Sequence, residues 1–105
     1  MRYDHAFPAR EFLKRFPDDF ARFLLRAEEM AEFGTISVKR HGHALKGRWA
    51  DLYQFNMELT RSWGFRHRDA FIVLSAAKKR TSGQEPDYEF ALKLREDFLN
   101  GVQDD

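Results

Sequence analysis

Between Pro17 and Phe33 the apolar residues Phe20, Phe23, Leu24, Ala27, Met30 and Ala31 recur at the i, i+3, i+4, i+7 spacing of a helix that buries one stripe. Asp18 and Asp19 occupy its first turn, where negative charge suits the helix dipole, and Gly34 supplies a C-terminal stop. Upstream, Pro8 followed by Phe12, Leu13 and Phe16 predicts a helix of about two turns. Two helices joined at Pro17 form a hairpin that must bury its phenylalanines on another layer. From Asp51 the period becomes two: Leu52, Gln54, Asn56 and Glu58 alternate with Tyr53, Phe55, Met57 and Leu59. A second strand is expected over 61–65, a charged turn over Arg66–Asp69, and a third strand over Ala70–Ala77. In that last strand the continuous run Phe71–Leu74 has the character of a strand covered on both faces.

Connections this short cannot hold a parallel crossover, so the three strands form an antiparallel meander. Met1–Phe7 alternates weakly and is expected to add a short edge strand. Thr35–Gly47 begins strand-like at Ile36 and Val38, then turns into a polar, glycine-punctuated loop. Pro86 opens a last helix with Tyr88, Ala91, Leu92, Arg95, Phe98 and Leu99 on one face, expected to end at Asn100-Gly101. The fold class is α+β: an N-terminal helical hairpin packed on a small antiparallel β-meander, with a C-terminal helix. Residues 1–105 fit one domain.

Composition supports a packed core, since 43% of the residues are hydrophobic and eleven are phenylalanine. The chain has no cysteine, which excludes disulfides, thiolate metal sites and thiol nucleophiles. No window approaches the roughly 18 apolar residues of a membrane-spanning helix. The N-terminus lacks a basic-then-apolar leader pattern, so a cytoplasmic location without membrane partners is expected.

A net charge of +1 hides a strong division. Residues 36–80 carry ten cations against three anions, a balance of +7, and the flanks carry −6. A cationic working face on a neutral or acidic scaffold favours a polyanionic partner. The sharpest local feature is Ala70–Arg80, an apolar strand that ends in Lys78, Lys79 and Arg80.

Five stretches then acquire meaning from their order. EFLKRFP leads into the long helix. HALKGRWADLYQF carries leucine-lysine-glycine followed by a strand beginning leucine-tyrosine. TRSWGF places an arginine on the middle strand, IVLSAAKKR ends an apolar strand in paired lysines, and EPDYEFALKLREDFL is a proline-initiated helix with alanine at mid-length. This order resembles the RelE/ParE superfamily of toxins from bacterial type II toxin–antitoxin modules, most closely its HigB-like, phage-derived branch, over nearly the whole chain. The resemblance implies a RelE-like fold and a ribosome-dependent endoribonuclease that cuts messenger RNA without a metal or other cofactor. It also implies a cognate antitoxin, expected to be a helix-turn-helix protein, with the ribosome and mRNA as further partners. The chain departs from the family on the first meander strand, where Gln54 and Phe55 stand in for a glutamate and an arginine carried by many relatives. That departure keeps two other readings open: a ParE-like toxin that inhibits gyrase by binding, and a degenerate member that binds nucleic acid or protein.

RNA cleavage by the 2′-hydroxyl needs that hydroxyl deprotonated, the phosphorane charge stabilised and the 5′-oxygen neutralised. Arg61 is the first candidate to hold the phosphate, as an always-charged fork on the middle strand; an ion pair with Glu58 or Asp69 is its structural alternative. Lys78 and Lys79 are candidates for phosphate stabilisation or for a base, with strand alternation placing only one of them inward. His67, expected in the turn between Arg66 and Arg68, is a candidate neutral base, and Glu58 another. Lys46, Arg48, Arg66, Arg68 and Arg80 are candidate RNA-backbone contacts. Tyr88 is a candidate to stack on a base or orient phosphate, although its helical spacing better suits a place at the edge of the core. Trp49 and Trp63 suit packing better than stacking. His41 and His43 alternate, but with no third ligand in view no metal site is expected.

Overall fold

A computed structural model describes residues 2–4 and 7–103. One five-stranded sheet runs through it in the order β1-β5-β4-β3-β2. Its strands are β1 (Arg2–Asp4), β2 (Gly42–Ala44), β3 (Tyr53–Asn56), β4 (Thr60–His67) and β5 (Ala70–Lys78). The helices are α1 (Ala9–Leu13), α2 (Pro17–Phe33) and α3 (Glu85–Gln103), with a single 3-10 turn at Gly47–Trp49. The α+β class, the meander β3-β4-β5 and all three helices agree with the sequence reading. The edge strand β1 is present as expected and runs parallel to β5, pairing Tyr3 with Phe71.

Three features differ from the sequence expectations. The loop after α2 contributes a further strand, β2, paired antiparallel to β3 through His43 and Gln54. It is three residues long, too short to leave a periodic signal. The turn between β4 and β5 is tighter than the expected Arg66–Asp69: Arg66 and His67 belong to β4, and Arg68 takes the left-handed conformation at φ 56°. Finally, α3 runs through Asn100 and Gly101 to Gln103, because one glycine in a helix is a cost of about 1 kcal/mol rather than a stop.

The sheet is covered on both faces, which explains the unbroken Phe71–Leu74 run. Phe71 and Val73 pack with Leu13, Phe23, Ala27 and Met30 under α1 and α2. Ile72 and Leu74 pack with Trp63, Phe65 and Ala91 under α3. Between Trp63 and Gly64 the β4–β5 register shifts by one residue, so Trp63 faces Ser75 while Gly64 faces Val73. Gly64 is required there: a Cβ at that position would lie 2.5 Å from the Ile72 carbonyl oxygen.

The start of α2 fastens the β3–β4 hairpin. Asp19, 2% exposed, accepts hydrogen bonds from the backbone N–H of Glu58 (3.2 Å) and Leu59 (2.8 Å) and from the Thr60 hydroxyl (2.7 Å). Pro17 opens the helix, and Gly34 closes it in the left-handed conformation at φ 74°. Leu24, expected within the buried stripe, is 37% exposed. The stripe is narrower than expected, and the flank beside it carries Arg22 and Arg26 toward the hairpin.

Candidate nucleic-acid interface

Two groups of polar side chains gather where β3, β4 and β5 reach the same end of the sheet. The first links β4 to the start of α3. Arg61 projects from β4 on the α3 side and donates to Gln84 Oε1 at 2.9 Å and to the Arg80 carbonyl at 3.5 Å. Gln84 also accepts from the Arg80 N–H and donates to the Lys78 carbonyl and to Asp87. Arg80 Nε lies 3.5 Å from Asp87 Oδ2. Neither Glu58 nor Asp69, the alternative partners suggested by sequence, pairs with Arg61; its partner is Gln84. Arg61 Nε is buried and unbonded, so the guanidinium is held inside a structural knot with one donor in reserve.

The second group lines an open cleft of about 440 Å³ formed by Arg22, Arg26, Arg40, His41, Asn56, Met57, Glu58 and Lys79. Arg22 and Arg26 stand one turn apart on α2, Arg40 and His41 come from the loop before β2, and Lys79 follows β5. Arg26 Nε donates to the Asn56 carbonyl at 3.3 Å, which fixes it against the hairpin. Arg22 lies 3.5 Å from Asp19 and 3.7 Å from Glu58, bridging the helix start and the turn. The Lys79 N–H donates to the Leu59 carbonyl, so the residue after β5 stays paired to the hairpin while its side chain reaches the cleft. Four cations thus face one carboxylate.

The electrostatics follow from that crowding. Burial and the like charge of Arg22 pull the Arg26 guanidinium below its ordinary value; it stays protonated, as arginine does in proteins. Burial, with Arg26 and Arg40 beside it, holds His41 below the ordinary histidine value, against a weaker opposing pull from Glu29. At neutral pH the cleft therefore presents fixed positive charge and one neutral imidazole.

The residues singled out from sequence fall into separate groups. Lys79 and Glu58 line the cleft, and Arg61 and Arg80 stand in the adjoining knot. Lys78 lies on the opposite face of β5 from Arg61, with its ammonium 5.9 Å from the Phe16 ring centre. His67 is not in the turn: it ends β4, with its ring 5.3 Å from that of Phe98. Arg61 and His67 are six residues apart, about 20 Å along the strand, so His67, Arg66 and Arg68 lie at the other end of the sheet. Lys46 and Arg48 are exposed; Arg48 pairs with Glu89 and stacks over Trp49 at 4.4 Å. Tyr88 is wedged between Trp49 (5.4 Å) and Trp63 (5.8 Å), a packing position.

Gln54 and Phe55 are both interior. Gln54 accepts from Trp63 Nε1 at 2.9 Å and donates to Asn56 Oδ1 at 2.8 Å, while Phe55 stacks on Phe71. Sequence reasoning missed Arg22, Arg26 and Arg40 as site residues and considered His41 only as a metal ligand. The available signals were the i,i+4 arginine pair on α2 and the Lys39-Arg40-His41 run. Among the described residues no three histidine, aspartate or glutamate side chains converge as metal ligands.

No protein-family model matches the sequence, and no curated protein matches it. Solved structures do match the fold. A YoeB–YefM complex from Staphylococcus aureus superposes with a TM-score of 0.59 at 9% identity, over 76% of this chain and 97% of the matched one. A copper-bound mutant toxin from Helicobacter pylori gives 0.60 at 15% identity, over 74% and 93%. This is the RelE-like toxin fold. A RelBE toxin–antitoxin complex from Mycobacterium tuberculosis gives 0.56 at 15% identity, over 74% and 96%. At such identities the RelE-like fold is shared while side-chain identities are not, so the chemistry of the cleft rests on the residues present here.

Proposed function

We propose that this protein is the toxin of a type II toxin–antitoxin module, of the HigB-like branch, and that it cuts messenger RNA on the ribosome. The observation that carries the proposal is the cleft at the hairpin end of the sheet, where Arg22, Arg26, Arg40 and Lys79 face one carboxylate. Fixed cations in a partly desolvated hollow suit a phosphodiester whose charge grows during 2′-hydroxyl attack. The RelE-like fold, found in toxins solved with their antitoxins, supports a cognate antitoxin here, expected as a small helix-turn-helix protein that covers the cleft. On β3, Asn56 lines the cleft. Arg26, bonded to the Asn56 carbonyl, brings a guanidinium to that place from α2.

Induced expression with mapping of mRNA 5′ ends tests this reading. Cleavage at ribosome-bound positions is expected, lowered about 10²–10³-fold by Arg26→Gln in a folded protein. Absence of ribosome-dependent cleavage by the wild type would sink it.

A second reading, toxicity by binding alone as in ParE-like gyrase inhibitors or a degenerate binding module, is favoured by the engagement of Arg61 with Gln84 and Arg80. Growth arrest with intact mRNA and inhibited DNA supercoiling would select it.

A further inference from the structure

His41 is held in place by its own backbone. Its N–H donates to the Val38 carbonyl and its carbonyl accepts from the Asn56 N–H, both at 2.8 Å. The main chain is thus tied to the loop on one side and to β3 on the other, with the side chain on the wall of the cleft beside Arg22, Arg26, Arg40 and Lys79. The charged groups around it come from every neighbouring element: Arg22, Arg26 and Glu29 from α2, Arg40 from the loop, Glu58 from the hairpin and Lys79 after β5. The Glu29 carboxylate, whose pull toward an imidazolium is the smallest of these influences, accepts from the Ser37 N–H and hydroxyl, both at 2.9 Å. Burial first, then Arg26 and Arg40, two of the cations that would gather a phosphate, keep this imidazole in its proton-accepting form.

We propose that His41 is the catalytic proton acceptor, taking the proton of a ribose 2′-hydroxyl whose adjacent 3′-phosphate is held by the arginines and Lys79 of the cleft. The inference rests on the reading of the protein as an RNA-cleaving toxin. The 2′-oxygen forms a bond to phosphorus as the bond from phosphorus to the 5′-oxygen breaks. The 5′-oxygen leaves with the electron pair and takes a proton from water. The products are a 2′,3′-cyclic phosphate and a 5′-hydroxyl, and the imidazolium returns its proton to the hydroxide left by that water. Of the other candidate bases, Lys79 is one of the cations that hold the phosphate here, Lys78 lies over the Phe16 ring, Glu58 is exposed and lies 3.7 Å from Arg22, and His67 is about 20 Å along the strand from Arg61.

The test uses the full chain with ribosomes carrying a short mRNA, under single-turnover conditions from pH 5 to 8. The wild-type rate is expected to rise with pH through a value below 6.5 and to level off by neutral pH. His41→Asn is expected to be folded by circular dichroism, about 10²–10⁴-fold slower, and without that acidic limb. Added imidazole should restore part of the rate to His41→Gly, and an mRNA with 2′-deoxyribose at the cut site should resist cleavage. A folded His41→Asn with the wild-type rate and pH profile, alongside an Arg26→Gln that has lost cleavage, would overturn this inference and leave the RNA-cleaving reading standing. Cleavage of the 2′-deoxy substrate would overturn the step itself. A wild type that cuts no ribosome-bound RNA would overturn both the inference and the reading.

Discussion

Asp19 shows how much one residue can settle here. Burial pushes its carboxyl toward the neutral form, but the hydrogen bonds from Thr60, Leu59 and Glu58 outweigh burial and hold its pKa below the ordinary 3.8. A carboxyl depressed in the folded state stabilises it at pH values above the unfolded pKa, and that contribution fades as the pH falls through 3.8 and below. Asp19→Ala strands two backbone donors in the hairpin turn and should cost about 2–3 kcal/mol in urea unfolding at pH 7. The difference from wild type should shrink near pH 3; a constant difference would contradict this account. In the sequence Asp19 was legible as a first-turn acid suited to the helix dipole. Its partners 39 to 41 residues away were not, because no local pattern encodes a contact between a helix start and a distant turn.

At the scale of elements, the knot formed by Arg61, Gln84, Arg80 and Asp87 couples the end of β4 to the first turn of α3. Gln84, 4% exposed, bonds both Arg61 and the Arg80 N–H, and its loss leaves the Arg80 N–H without that acceptor and Arg61 with only the 3.5 Å contact to the Arg80 carbonyl. Gln84→Ala should lower stability by about 1–3 kcal/mol and loosen the first turn of α3, measured as faster amide exchange at Asp87 and Tyr88, whose N–H groups bond the Gln84 carbonyl. Unchanged exchange there would mean that the knot does not hold the helix. The helices and β3 were legible from periodicity, since each repeats its pattern over several residues, and β5 from its unbroken apolar run. The strand β2 and the 3-10 turn were not, because three residues carry no period. The wide buried stripe expected of α2 was legible only in part: Phe23, Ala27 and Met30 are buried, while Leu24 lies at its exposed margin.

At the scale of the whole molecule, the charge division read from sequence is redrawn by folding. The cationic block of residues 36–80 is spread along the sheet, with Arg66 and Arg68 at one end and Lys79 at the other. The hairpin end gains Arg22 and Arg26 from a flank whose overall charge is negative. Binding of single-stranded RNA should weaken as salt rises, with a log–log slope of about −0.7 for each phosphate engaged. Arg26→Gln should make that slope shallower by about 0.7 while Arg68→Gln leaves it unchanged. Equal effects of the two variants would place the RNA elsewhere. By itself the sequence determined the α+β class, the strand meander, the helix limits set by Pro17 and Gly34, and the presence of a cationic segment. Each of these follows from residues near one another in the chain. Only the tertiary structure decided which cations share a cleft, that His41 stands among them, and that Arg61 is held by Gln84. Charges sum in space, and the residues that meet at the hairpin end come from α2, the loop before β2, β3 and the end of β5, a proximity that exists only once the chain is folded.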